Sequence, residues 1–243
     1  MAAGSPADHN PRRCFGLNAG MLHRPRTLVA AGVTLAALAC AAPASARIIE
    51  VGAAPPEATP TCPSSPCLAV SRTTGYQAKV ADSRSSYIVP ADGKIVAWTI
   101  SLGNPDKRQI DFFQTNYGES SAGLTILRRG KRLFHRVVAQ APTQKLGPYF
   151  GQKAQFPLET SIAVKKGQVV ALTVPTWAPA LSQLVNDGSS WRASRPKGGC
   201  DNTEGQTAQT RMQQRTQYRC LYKARLTYSA TLITTPKPNT PPS

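Results

Sequence analysis

Proline and glycine cut this sequence into pieces too short for long helices. There are 21 Pro and 18 Gly in 243 residues, and no long stretch between them keeps a 3.6-residue apolar period. What survives is alternation. Over residues 218–228, Tyr218, Cys220, Tyr222, Ala224, Leu226 and Tyr228 fall on one face, and Arg219, Leu221, Lys223, Arg225 and Thr227 on the other. A period of two is the geometry of a strand, and so clean a split predicts one face in the core and one in water. Residues 94–102 are apolar on both faces, which marks a central strand. Shorter runs at 74–80, 124–128, 133–139, 161–164 and 168–174 flank turn signatures at Ala91-Asp92-Gly93, Arg129-Gly130-Lys131-Arg132 and Lys165-Lys166-Gly167. Many short strands with turns between them predict an all-β fold, a jelly-roll-like β-sandwich. Residues 103–123 are too long for a plain connection, and a short helix is expected there around 107–113.

The N-terminus carries a different signal. Arg24 and Arg26 precede an apolar run over 28–42, followed by Pro43-Ala44-Ser45-Ala46. A basic start, a greasy middle too short to span a bilayer comfortably and a small-residue exit make a bacterial export signal. Residues 1–46 are therefore read as a signal peptide, with Met21 a better start than Met1. Two other export routes compete: Arg12-Arg13 resembles a twin-arginine motif placed far from the apolar run, and Ala37-Leu38-Ala39-Cys40 resembles a lipobox with its large and small residues reversed, which would anchor Cys40 to lipid. No second apolar run reaches transmembrane length. The remainder divides into a Pro-rich lead-in over 47–66, a sandwich domain over 67–232 and a disordered Pro-rich tail over 233–243.

Export and cysteine count agree. Four cysteines follow Ala46: Cys62, Cys67, Cys200 and Cys220. An even number in an exported chain reads as two disulfides. Three pairings exist; Cys62 with Cys67 and Cys200 with Cys220 is favoured because each is local. By loop entropy the first is worth about 2 kcal/mol and the second about 3. Zinc fits poorly, since the spacings are not short paired knuckles and His135 is the one histidine after residue 46. Cleavage leaves 25 Lys plus Arg against 11 Asp plus Glu, a net of +14. Outside the cytoplasm that charge reads either as plain solubility or as attraction to an anion, such as a cell-wall polymer, acidic polysaccharide, lipid headgroup or released DNA, and it points away from genomic nucleic acid.

The run Val89-Pro90-Ala91-Asp92-Gly93-Lys94-Ile95-Val96-Ala97-Trp98 resembles a strand-turn-strand signature of secreted proteins from high-GC Gram-positive bacteria. Leu172-Thr173-Val174-Pro175-Thr176-Trp177-Ala178-Pro179 and the Cys62/Cys67 segment fit the same group, and the likeness covers most of 62–232. It implies a β-sandwich and export. No activity is attached to that group, so it implies no catalytic residue.

Organised catalytic motifs are absent. His135 stands in the strand Leu133-Phe134-His135-Arg136-Val137-Val138 with no Ser or Cys partner and no Gly-x-Ser-x-Gly, so it reads as structural. Asp106, Asp111 and Glu119 are the best carboxylates for glycan hydrolysis, set against simple pairing with nearby cations. Asp201 and Glu204 lack the register of a calcium loop. No motif asks for a cofactor. The basic cluster is stronger: Arg128, Arg129, Lys131, Arg132 and Arg136 crowd one hairpin, and alternation puts Arg219, Lys223 and Arg225 on an exposed face. If these surfaces adjoin they grip phosphate or carboxylate; the plain alternative is a solvated tip that blocks edge pairing. Trp98 reads as core. Trp177, bracketed by prolines, and Trp191, Tyr149 and Phe150 are candidate sugar platforms, set against the favoured plain reading that loop aromatics close the open end of a sandwich. The expectation is an exported non-catalytic binding module, with a carboxylate-based glycan-active enzyme and a structural envelope component as alternatives.

Overall fold

A computed structural model describes residues 45–53, 57–183, 188–201 and 205–236, all within one compact unit. The stretch read as an export signal, through residue 44, together with Cys40, Glu204 and the tail from 237, lies outside the described residues. Fourteen strands and one α-helix are described: β1 Ile48–Val51, β2 Val70–Lys79, β3 Gly93–Ser101, α1 Lys107–Tyr117, β4 Ser121–Arg129, β5 Phe134–Gln140, β6 Gln144–Lys145, β7 Lys153–Val164, β8 Val169–Ala178, β9 Leu181–Ser182, β10 Ser190–Ala193, β11 Arg215–Gln217, β12 Cys220–Tyr222, β13 Arg225–Leu226 and β14 Tyr228–Thr234. The smaller sheet runs β1-β14-β3-β7 and the larger β11-β5-β4-β8-β2-β10-β12, with β6 beside β4 and a separate β9–β13 pair. Taking β1, β2, β3, β4, β5, β7, β8 and β14 as the eight principal strands, the sheets read 1-8-3-6 and 2-7-4-5 in chain order, with every pair antiparallel. That is a jelly roll.

The two sheets close on a shared core. Trp98 and Ile100 of β3, Phe156 of β7 and Leu232 of β14 meet Leu124 and Ile126 of β4 and Val170, Leu172 and Val174 of β8. Trp98, Ile100, Leu124, Ile126 and Leu232 are fully buried. The predicted central strand is therefore β3, paired on both sides.

Everything unusual sits between β8 and β14. This insertion carries β9 to β13 and adds strands to both edges of the larger sheet: β11 beside β5, and β10 and β12 beside β2. Only Tyr218 and Arg219 separate β11 from β12. Two linking residues reach about 11 Å at most, whereas seven flat strands would hold those edges roughly 29 Å apart. The sheet must curl. Ring contacts confirm it: β2 and β5 are three places apart in the sheet, roughly 14 Å if flat, yet the Tyr76 and His135 rings stack at 5.1 Å. The face turned away from the main core thus encloses a second one, built from Tyr76, Leu127, Val137, Val169, Ala171 and Tyr218. One end of that curl is plugged by polar groups. Thr173 Oγ1 lies 2.9 Å from Thr74 Oγ1 and 2.6 Å from Thr125 Oγ1, and the Gln209 amide donates to Thr74 at 2.9 Å.

Several expectations need correction. Residues 218–228 are not one strand but cross from β12 in the larger sheet, through β13, to β14 in the smaller. The expected water-facing side holds for Arg219, Leu221 and Lys223, but Arg225 and Thr227 are buried in the crossing, where both sides are covered. The lead-in is not all extended coil: β1 pairs with β14 and buries Val51. Nor is the tail loose from 233, since β14 runs to Thr234 and the Thr235 amide donates to Asp92 O at 2.8 Å. The helix runs past 113 to Tyr117. Asp106 caps it, its carboxylate accepting from the Gln109 amide at 2.8 Å while the Gln109 side chain accepts from the Asp106 amide. No helix among the described residues is long and apolar enough to cross a membrane.

The disulfides are Cys62–Cys67 and Cys200–Cys220. The second ties the start of the 201–219 excursion to β12, and so fixes both ends of the segment that closes the curl. Replacing both cysteines of that pair by Ser is expected to cost about 3 kcal/mol, measured from full urea curves with the slope fitted for each protein, because opening the cross-link expands the unfolded chain.

Candidate functional site

The β4–β5 hairpin carries the basic cluster to one end of the larger sheet. Its tip is built tightly. The Gly130 amide donates to Phe134 O at 2.8 Å, and a Cβ at 130 would lie 2.7 Å from that oxygen, so only glycine fits. Arg132 and Leu133 follow at φ 54° and 63°, left-handed positions costing about 1 kcal/mol or more each. The insertion holds them there: Gln217 Nε2 donates to Arg132 O at 2.9 Å and the Tyr218 amide to Leu133 O at 2.9 Å.

Strand register then sorts the arginines by face. Arg128 of β4 pairs with Arg136 of β5, and Arg136 with Arg215 of β11. Three arginine positions thus neighbour one another across three strands. Arg215 also lies over the Phe134 ring at 4.4 Å, and Arg136 donates to Gln213 O at 3.4 Å. Arg129 pairs with His135 and faces the other way, into the mouth of the curl. From the opposite edge, Arg192 of β10 pairs with Tyr76 of β2. Arg84 arrives from the turn after β2. Together Arg84, Arg129 and Arg192 line a cleft of about 210 Å3 with Tyr76, Ile88 and Val169.

Carboxylates here do not pair with arginine: Asp82, in the turn that carries Arg84, pairs with Lys79 at 3.4 Å. The ion pairs Lys79–Asp82, Lys107–Asp111, Lys145–Glu119, Lys153–Glu57 and Lys165–Asp92 all use lysine. Among the described residues, Arg84, Arg128, Arg129, Arg132, Arg136, Arg192 and Arg215 have no carboxylate within ion-pairing reach.

Beneath the cleft sits His135, buried between Tyr76 and Tyr218, whose rings lie 5.1 and 4.9 Å away. Its Nδ1–H donates to Leu133 O at 3.2 Å. Burial is the main cause holding its pKa below the usual histidine range, aided by Arg129 and Arg192 and opposed by backbone hydrogen bonds. Burial raises the Tyr76 and Tyr218 hydroxyls, the former offset in part by the same two arginines. His135 is thus a ring packed inside the curl, with burial favouring its neutral form.

Other candidates separate. Arg219 and Lys223 are exposed on the loops flanking β12, and Lys131 and Arg132 on the hairpin tip. Arg225 is instead 5% exposed and acts on the buried Tyr87 hydroxyl, so it leaves the basic surface. Trp177 is no sugar platform. It is fully buried in β8, donates from Nε1 to Gly118 O at 2.9 Å and stacks on Phe113 at 4.7 Å. Trp191 is buried against Tyr222, while Tyr149 stays partly exposed edge-on to Phe156. The loop carboxylates are dispersed: Asp106 caps α1, Asp111 pairs with Lys107 at 2.6 Å and Glu119 with Lys145 at 2.9 Å. Asp106 and Asp111 are five residues apart, about 140° around the helix axis. Asp201 is exposed, and no group of three metal-binding side chains occurs among the described residues. A larger cleft of about 300 Å3 involves Tyr87, Arg225, Tyr228, Lys153 and Glu57, but Lys153 and Glu57 neutralise each other at 3.1 Å.

Sequence proximity missed Arg84, Arg192, Arg215 and Tyr76, which reach the hairpin from distant stretches; no local signal marks them. Compared with known families, characterised proteins and solved structures, the chain matches none.

The histidine gives a pH signature. Its folded pKa is depressed, so the unfolded chain binds the proton more readily. Its contribution is intact above about pH 6.5 and is lost as pH falls from there through the folded value. Inside that window stability falls by up to about 1.4 kcal/mol per pH unit. His135→Phe, which keeps a ring between the tyrosines, is expected to flatten this part of a urea-midpoint profile between pH 7.5 and 4.5.

Proposed function

We propose that this protein is an exported binding module that takes an anionic polymer of the cell envelope on the arginine-rich end of its larger sheet. One observation carries the reading: arginines from β4, β5, β10 and β11 gather at that end with no carboxylate in ion-pairing reach among the described residues, while the ion pairs described all use lysine. Arginine is the better residue for such a surface, because its planar fork holds phosphate, sulfate or carboxylate bidentately and gives up its weak hydration readily. The backbones of Arg128, Arg136 and Arg215 lie on adjacent strands about 4.8 Å apart, and the long side chains spread their charge over a surface that suits a ligand carrying charge along its length. Two disulfides and a leader with basic, apolar and small-residue parts support an oxidising, extracytoplasmic setting. The dispersed carboxylates favour binding over hydrolysis.

Co-sedimentation with purified wall polymer tests this across a series from 50 to 500 mM salt. Affinity is expected to fall steadily with ionic strength, and an uncharged polysaccharide of similar length is expected not to bind. The triple variant Arg128→Gln, Arg136→Gln and Arg215→Gln is expected to bind roughly tenfold more weakly at low salt. Salt-independent binding, or a triple variant that binds like the parent, refutes the reading.

A further inference from the structure

A positive surface needs only exposed cations. The mouth of the curled sheet is built more closely than that. Arg192 spends Nη1 on the carbonyls of Tyr218 and Arg219, both at 3.2 Å, so its guanidinium is held in place while its other N–H groups make no protein hydrogen bond among the described residues. Tyr76 is only 9% exposed, lines the same cleft, and its hydroxyl has no hydrogen-bond partner among the described residues. Its ring cannot turn away, being stacked on His135 at 5.1 Å and packed on Tyr218 at 5.4 Å. Arg84 and Arg129 complete the lining. Three arginines and one buried tyrosine thus line one space, with no carboxylate among its lining residues.

We propose that this mouth seats a single tetrahedral oxyanion with three terminal oxygens, the phosphate monoester or sulfate ester group of a larger ligand, held by Arg84, Arg129, Arg192 and the Tyr76 hydroxyl. The inference rests on the anionic-polymer reading and names the group recognised within it. Shape and charge select the class. A carboxylate is planar, carries one charge and is satisfied by one guanidinium fork. A phosphodiester linkage offers two free oxygens and one charge. A phosphate monoester offers three oxygens and nearly two charges, which suits donors approaching from several sides. A sulfate ester offers three oxygens and one charge; inorganic sulfate shares its tetrahedral shape, carries a second charge, and serves as its probe. The cleft volume of about 210 Å3 is roughly seven times the 30 Å3 share of one water, room for such a group and part of its carrier. Neutral His135 beneath adds no further charge.

The test uses inorganic phosphate and inorganic sulfate as probes, with chloride at matched ionic strength as the control. His135 is the one histidine among the described residues, so its ring signals in a proton spectrum report on the site. Saturable shifts are expected with phosphate, sulfate or both, with none from chloride. Titrating His135 in saturating sulfate is expected to move its pKa upward, because the bound anion offsets Arg129 and Arg192. Phosphate binding is expected to weaken as its second proton is taken up toward pH 5, while sulfate binding does not. Preference for one probe assigns the ester. Tyr76→Phe is expected to weaken binding roughly tenfold, and Arg84→Gln, on an exposed turn, to weaken it several-fold without disturbing the fold. Retained dispersion of the His135 signal shows that a variant is folded. Shifts that never saturate, that chloride reproduces, or that survive both substitutions overturn the proposal. Wall-polymer binding measured on the same samples separates the two ideas. Salt-dependent polymer binding with no oxyanion site leaves only the broad surface; oxyanion binding without polymer binding removes the polymer.

Discussion

The two-residue link between β11 and β12 constrains the molecule more than any other feature. Because Tyr218 and Arg219 alone join opposite edges of a seven-strand path, the larger sheet cannot lie flat across the smaller one. It bends away from the main core and wraps the Tyr76, His135 and Tyr218 rings. One sheet therefore serves two apolar interiors, one on each face. This explains why β8 is buried along nearly its whole length, with Val170 and Leu172 turned to one core and Val169 and Ala171 to the other. Such strands read as continuous apolar runs, not as alternation.

Local features were legible in the sequence. Turn chemistry at 91–93, 130–132 and 165–167 placed the strand ends, and alternation identified the sandwich. Local spacing favoured both disulfides. What could not be read was which strands would meet. Residues 218–228 keep their alternation while changing sheets, because a step of two residues turns the side chain inward wherever the strand lies. The flanking prolines made Trp177 look like a loop residue. Pro175 instead lies where β2 and β8 slip register, between the Ser71–Trp177 and Thr73–Val174 pairs, one of the few places a strand tolerates proline. The basic site divides in the same way. Arg128, Arg129 and Arg136 were visible as a local crowd, whereas Arg84, Arg192 and Arg215 join it only through the curl.

Arginine and lysine are partitioned in space. Lysines take the carboxylates on turns and edges, in exposed pairs of small energetic worth. Arginines at the curled end are held by carbonyls and aromatic rings instead: Arg192 by Tyr218 and Arg219, Arg215 by Phe134. A cation fixed by neutral groups is oriented without being neutralised, and its field stays available to a partner.

That arrangement makes the insertion partly self-opposing. Docking it brings Arg192 and Arg215 against Arg129 and Arg136, which the β4–β5 hairpin already carries. Ring stacking and the Cys200–Cys220 staple must outweigh this repulsion. Counter-anions relieve it, so whatever neutralises the cluster also clasps the insertion to the frame. By the same linkage, a partner would meet a looser claw in pure water than in brine, and would tighten it on arrival.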